Sequence, residues 1–120
     1  MKFILFIFML GSSVQASSIE GVIKIIGETP KGTLFIFAKK HDGSIRMPLA
    51  VKRIESPSFP LKFSLDKSNQ MVKSLPFKGP FTITARISPN GGAMDKSGIE
   101  VSTKAPIKLG DKNIELVLSK

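Results

Sequence analysis

The chain has 120 residues, a formal net charge of +9, no Cys, no Trp, no Tyr and nine Phe. Without Cys it cannot be a thiol oxidoreductase, nor carry haem attached through a Cys-x-x-Cys-His site. The basic residues are spread thinly, densest at Lys39-Lys40 and Lys52-Arg53, and the aromatics fall on apolar faces. The pattern is a solvated basic surface and not the cationic groove with stacking aromatics that binds nucleic acid.

The chain opens like an export leader. Met1-Lys2 is a short positive start, residues 3–10 are an unbroken apolar run, and Val14 and Ala16 place small residues three and one before a cut. This order predicts a signal peptide over 1–16 and a mature chain from Ser17. The run is shorter than the roughly 20 apolar residues that span a bilayer. No Cys follows it, so neither a lipid-anchored lipoprotein nor a stable membrane anchor after cleavage is expected. The remainder, 17–120, is expected to be one domain, and the location to be the periplasm.

Strands follow in order. An opening strand covers about 19–26. Residues 33–40 hold Leu34, Phe35, Ile36 and Phe37, an apolar run suited to a central strand. His41-Asp42-Gly43-Ser44 is a hairpin turn signal, since Asp and Gly tolerate positive φ. Residues 45–54 then place Ile45, Met47, Leu49 and Val51 on one face and Arg46, Ala50 and Lys52 on the other. Pro48 has no N–H to give a ladder, which makes this strand an edge or bulged. Residues 60–66 alternate cleanly, with Leu61, Phe63 and Leu65 opposite Lys62 and Ser64. Residues 81–88 repeat the pattern, with Phe81, Ile83, Ala85 and Ile87 opposite Thr82, Thr84, Arg86 and Ser88. Residues 112–119 place Ile114, Leu116 and Leu118 on one face. Between these runs, Pro- and Gly-rich segments read as loops, and 68–77 has room for one short helical turn before Pro76. Six or seven short strands with regular turn signals predict an all-β, antiparallel, Greek-key-like sandwich of immunoglobulin or transthyretin type.

No constellation spells out a reaction, and the chain is read as a non-enzyme without a cofactor. His41 is the only His, and its place is a solvated turn. The nine carboxylates offer no pair suited to acid–base work, and no Ser-x-x-Lys motif sits at a helix start to activate a Ser. Gly91-Gly92 lacks the Lys-Ser/Thr of a phosphate cradle. Met47, Met71 and Met94 raise a soft-metal site, but they lie far apart in sequence, and Met is more often gap filler.

A family resemblance is carried by several runs in one order. They are Thr33-Leu34-Phe35-Ile36-Phe37-Ala38, then Met47-Pro48-Leu49-Ala50-Val51-Lys52-Arg53, then Pro60-Leu61-Lys62-Phe63-Ser64-Leu65-Asp66. Thr84-Ala85-Arg86-Ile87-Ser88, Gly91-Gly92-Ala93 and Lys104-Ala105-Pro106-Ile107-Lys108-Leu109-Gly110 complete the series. This order resembles the C-terminal β domain of the cytochrome c-type biogenesis proteins of the H/I type. The Met47 to Arg53 run is its most specific piece, because hydrophobicity alone does not demand Met-Pro there. The resemblance implies an immunoglobulin-like periplasmic domain that helps present apocytochrome c to the haem-attachment machinery. In those proteins the domain follows a membrane anchor and helical repeats, to which the grip on apocytochrome is attributed; the residues here carry neither. A second reading is a free-standing exported sandwich that binds an unrelated envelope component or a metal. The expected binding residues are Met47, Lys52, Arg53 and Arg86, from the most distinctive runs. Parity points Lys52 and Arg86 outward. The other reading of these four is a patterned edge strand with solvated charge.

Overall fold

The computed structural model describes residues 18–119; the expected leader and its cleavage site lie outside the described residues. Seven strands form two sheets: β1 (Ser18–Ile25), β2 (Thr33–Lys40), β3 (Ala50–Glu55), β4 (Leu61–Asp66), β5 (Phe81–Ser88), β6 (Glu100–Ser102) and β7 (Ile114–Leu118). One sheet has the order β4-β1-β7 and the other β3-β2-β5-β6. The all-β sandwich expected from the alternation is therefore present. All pairs run antiparallel but one: β1 and β7 are parallel, from Gly21 opposite Ile114 to Ile25 opposite Leu118. Parallel neighbours need a long crossover, and here the whole chain between β1 and β7 supplies it.

The core follows the period-two rule. Ile19 and Ile23 of β1, Phe63 and Leu65 of β4, and Ile114, Leu116 and Leu118 of β7 meet Leu34, Ile36 and Ala38 of β2. Phe81, Ile83, Ala85 and Ile87 of β5 complete the layer. Fully burying one such side chain contributes about 1.5–3 kcal/mol, so this layer dominates stability. Gly21 sits where three strands converge. A Cβ there would overlap the Ile114 carbonyl oxygen and come within 2.9 Å of the Phe63 ring.

Three local readings need correction. The strand expected over 45–54 starts only at Ala50. The Leu49 N–H still donates to the Ala38 carbonyl at 2.7 Å, but Pro48 has no N–H to continue the ladder. Residues 41–49 therefore leave the sheet as a loop, and the alternation drawn through Ile45 and Met47 does not exist. Lys52, expected to face outward, stands opposite Ile36 in the ladder and so takes the side of the sheet that faces β4. Its Nζ donates to the Ser64 carbonyl at 3.3 Å. Finally, the short helical turn is a 3-10 turn at Lys67–Asn69, earlier than expected. The Asp66 side chain caps it by accepting from the Ser68 N–H at 2.8 Å.

The outer face of the β3-β2-β5-β6 sheet is covered too. Thr33, Phe35, Phe37, Thr84, Arg86 and Ser88 all lie on it by register, and all are buried. The loops 41–49 and 89–99 and the segment around Met71 form this second layer, in which the candidate site lies.

Candidate functional site

The floor of the site is set by β2. Phe35 and Phe37 are two apart on one strand and so share a face; their rings stack with centroids 6.0 Å apart. Arg86 of β5 stands opposite Phe35 and diagonal to Phe37, its guanidinium carbon 5.0 Å from the Phe37 ring centroid. Such a cation–π contact is worth about 0.5–2 kcal/mol, the upper end when desolvated.

Arg86 is held on three sides. Its Nε donates to Glu100 Oε1 at 2.6 Å and its NH1 to the Ala93 carbonyl at 2.9 Å. The residue is only 5% exposed, so this charge is structural as well as site-lining. It ties the loop 89–99 to the sheet.

That loop is organised by one carboxylate. Asp95 accepts from the Ser97 N–H at 3.0 Å, the Ser97 hydroxyl at 2.7 Å and the Asn90 N–H at 3.2 Å. The Ser97 hydroxyl, first, and then the backbone donors hold its pKa below the ordinary 3.8. A carboxylate whose folded pKa is depressed supports the fold above its unfolded value and loses that support as pH falls through the folded one. Asp95 therefore braces the loop at all pH above about 4. Ser88 adds a bond from its hydroxyl to the Gly92 carbonyl at 2.7 Å.

Opposite this loop, Pro48 and Met47 turn away from β3. The Met71 N–H donates to the Leu49 carbonyl at 3.0 Å, and Gln70 bridges to Ala50. Gln70 Nε2 also donates to the Leu75 carbonyl at 2.6 Å, which fixes the segment that carries Met71.

Between these walls lies a groove of about 450 Å³, within the range of roughly 300–1,000 Å³ typical of ligand clefts. Phe37 and Val51 line its floor, and Met47, Met71 and Met94 line its sides. All the methionines beyond residue 16 thus meet in one place. They are 44%, 54% and 85% exposed, so they do not serve as core filler. Lys39, Arg46 and Lys96 also line it. Among the described residues none of these three has an acidic partner.

Of the four binding residues expected from the sequence, the groove brings together Met47 and Arg86. Arg53 lies on the same side of the sheet, opposite Phe35, but outside the groove, in an exposed ion pair with Glu55. Lys52 belongs to the other side. Sequence reasoning missed Lys39, Arg46, Lys96 and the joint use of Met71 and Met94. One signal was available for two of them: Met71 and Met94 stand in turn-rich, polar segments outside any alternating run. His41 is exposed in its turn, Nδ1 2.9 Å from the Thr82 hydroxyl. Among the described residues no three His, Cys, Asp or Glu cluster as metal ligands.

Residues 25–119 match the model of the cytochrome c-type biogenesis protein H Ig-like domain. The chain belongs to this family. The matched span includes all of β2 to β7 and every residue that lines the groove. An uncharacterized protein of Aquifex aeolicus (strain VF5) is 30% identical over 106 residues, which cover 84% of this chain and 69% of that one. Among solved structures, an alternative pilotin from the type II secretion system of Vibrio cholerae is similar in fold. Its TM-score is 0.52 at 14% identity, over 85% of this chain and 94% of the pilotin. That likeness concerns the fold alone. The Ig-like domain of the biogenesis protein H family thus carries, in this chain, a methionine-sided groove on the outer face of its larger sheet.

Proposed function

We propose that this chain is a non-catalytic binding domain serving cytochrome c maturation in the cell envelope, with the groove over Phe37 as its contact surface. The observation that carries this reading is the family match across residues 25–119. The groove supports it chemically. It offers apolar floor, flexible thioethers and cations, but no nucleophile beside a base. The partner in this reading is apocytochrome c or a subunit of the haem-attachment machinery. A metal role is disfavoured, because Lys39, Arg46, Arg86 and Lys96 surround the thioethers and repel a cation.

Calorimetry of the domain against apocytochrome c and against haem-attachment subunits tests the reading. At least one should bind, and Met47→Ser with Met94→Ser should weaken it about tenfold or more, the loss of two apolar anchors that the partner would bury. Both side chains are well exposed in the free domain, so folding should be unaffected. If no maturation component binds, the second reading, an exported module for another envelope component, takes its place.

Export belongs to the same proposal. Residues 1–16 act as a cleaved signal peptide, and the mature protein starts at Ser17. Intact mass of the protein from the periplasmic fraction should lack residues 1–16; a mass that retains them would replace cleavage with an anchor.

A further inference from the structure

Resting on the groove as contact surface, we infer that its ligand is a polypeptide segment that combines apolar side chains with several carboxylates. The groove is complementary to such a segment in charge and in apolar surface. Lys39, Arg46, Arg86 and Lys96 line the groove, and no Asp or Glu does. Only Arg86 has an acidic partner, Glu100. The other three cations have none among the described residues, so their charge is available to a ligand.

Their placement argues for distributed anions. Lys39 comes from β2, Arg46 from the loop after it and Lys96 from the loop after β5. Cations on three separate segments suit carboxylates spaced along a chain better than one phosphate or one headgroup, which would call for a convergent cluster. The apolar part of the ligand meets Phe37, Val51 and the thioethers. Methionine is unbranched and polarizable, so a surface built on it repacks around varied apolar side chains. The groove therefore selects by charge and amphipathicity, and not by a particular sequence. The wider surface works in the same direction, since the chain's formal charge of +9, or +8 without Lys2, steers acidic partners toward the domain.

Fluorescence anisotropy with three labelled peptides tests this: an amphipathic Leu/Glu peptide, its Leu/Lys counterpart, and a Ser/Glu peptide without apolar side chains. At about 0.15 M salt, where long-range attraction is largely screened, the Leu/Glu peptide should bind at least about tenfold more tightly than either other, about 1.4 kcal/mol. Lys39→Glu with Lys96→Glu should weaken Leu/Glu binding about tenfold and raise Leu/Lys binding. Lys104→Glu with Lys112→Glu makes the same charge change away from the groove, on exposed residues, and should leave affinity within about twofold, a long-range effect only. Equal affinity for Leu/Glu and Leu/Lys peptides overturns the inference. So does an equal loss in both charge-reversed pairs, which reduces binding to nonspecific attraction. Vesicles of phosphatidylglycerol bound more tightly than the Leu/Glu peptide, with the binding lost in Met94→Ser, would overturn it in favour of a membrane surface. Selective Leu/Glu binding without any maturation partner keeps this inference and removes the maturation role. A maturation partner bound by a groove with no Leu/Glu preference does the reverse.

Discussion

Phe63→Ala should cost about 3–5 kcal/mol of unfolding free energy, the usual range for a buried Phe. The neighbouring Lys62→Ala should stay within about 0.5 kcal/mol, as exposed substitutions do. Phe63 is 4% exposed, in the layer between the two sheets, while Lys62 points to solvent one residue earlier. The ladder makes Phe63 costly in a second way. It stands opposite Gly21 of β1, which has no side chain, so the Phe63 ring fills the space above that glycine. Truncation leaves a void bounded by the β1 backbone and Ile114, and strands fixed in register cannot close in to fill it. Urea titrations of both variants measure the difference. Similar losses at the two positions would show that β4 has the opposite parity.

Gly98→Ala should cost about 1–3 kcal/mol, the usual toll of forcing atoms into filled space, and should also abolish binding in the groove. The reason is space and not backbone conformation. A Cβ at Gly98 would overlap the Ile87 carbonyl oxygen and come within 3.0 Å of Pro89 Cδ. Here the loop runs directly along β5, where the Ile87 N–H donates to the Ile99 carbonyl at 3.0 Å. An alanine pushes the loop off the strand edge. With it go the Ala93 carbonyl that Arg86 holds and the groove wall that carries Met94 and Lys96. Gly92→Ala, in the same loop, meets only the Asn90 side chain at 3.1 Å and should give the smaller loss. Thermal melts combined with peptide anisotropy measure both effects. A stable Gly98→Ala that still binds would show that the loop is not part of the site.

The groove gives the family's fold a chemical character that the fold alone does not supply. Sandwich domains of this kind leave one face of each sheet outward. On the larger sheet of this protein that face carries two stacked Phe and a buried Arg, and the loops close over part of it only. Exposed thioethers over a buried aromatic floor, rimmed by cations, are the form expected of an interaction site.

How much of this was legible in the sequence differs from element to element. β4, β5 and β7 alternate so strictly that one face had to be core: Phe63 and Leu65, Ile83 and Ile87, Leu116 and Leu118 all lie where parity puts them. A local period of two suffices there, because each strand contributes one clean apolar row to a two-layer sandwich. β2 was harder to assign by face, since Leu34 to Phe37 are apolar in succession. The structure shows why both faces are apolar: Leu34 and Ile36 enter the core, while Phe35 and Phe37 form the floor of the outer layer. The start of β3 was placed too early because period two continues through Ile45 and Met47, whereas Pro48, read as an edge or bulge, has no N–H to continue the ladder. The parallel pairing of β1 with β7 could not be read at all, because it depends on how the two chain ends meet in space.

The sequence by itself determined the class of fold, the core rows and the family, since each rests on local alternation and on runs of adjacent residues. The groove was decided by tertiary structure alone. Met47, Met71 and Met94 are more than twenty residues apart in turn, and no local rule relates them. They meet because Leu49 bonds to both Ala38 and Met71, while Arg86 and Asp95 fold the loop 89–99 back over β5. Long-range backbone bonds and one buried arginine set which side chains share a surface, and neither leaves a periodic mark in the sequence.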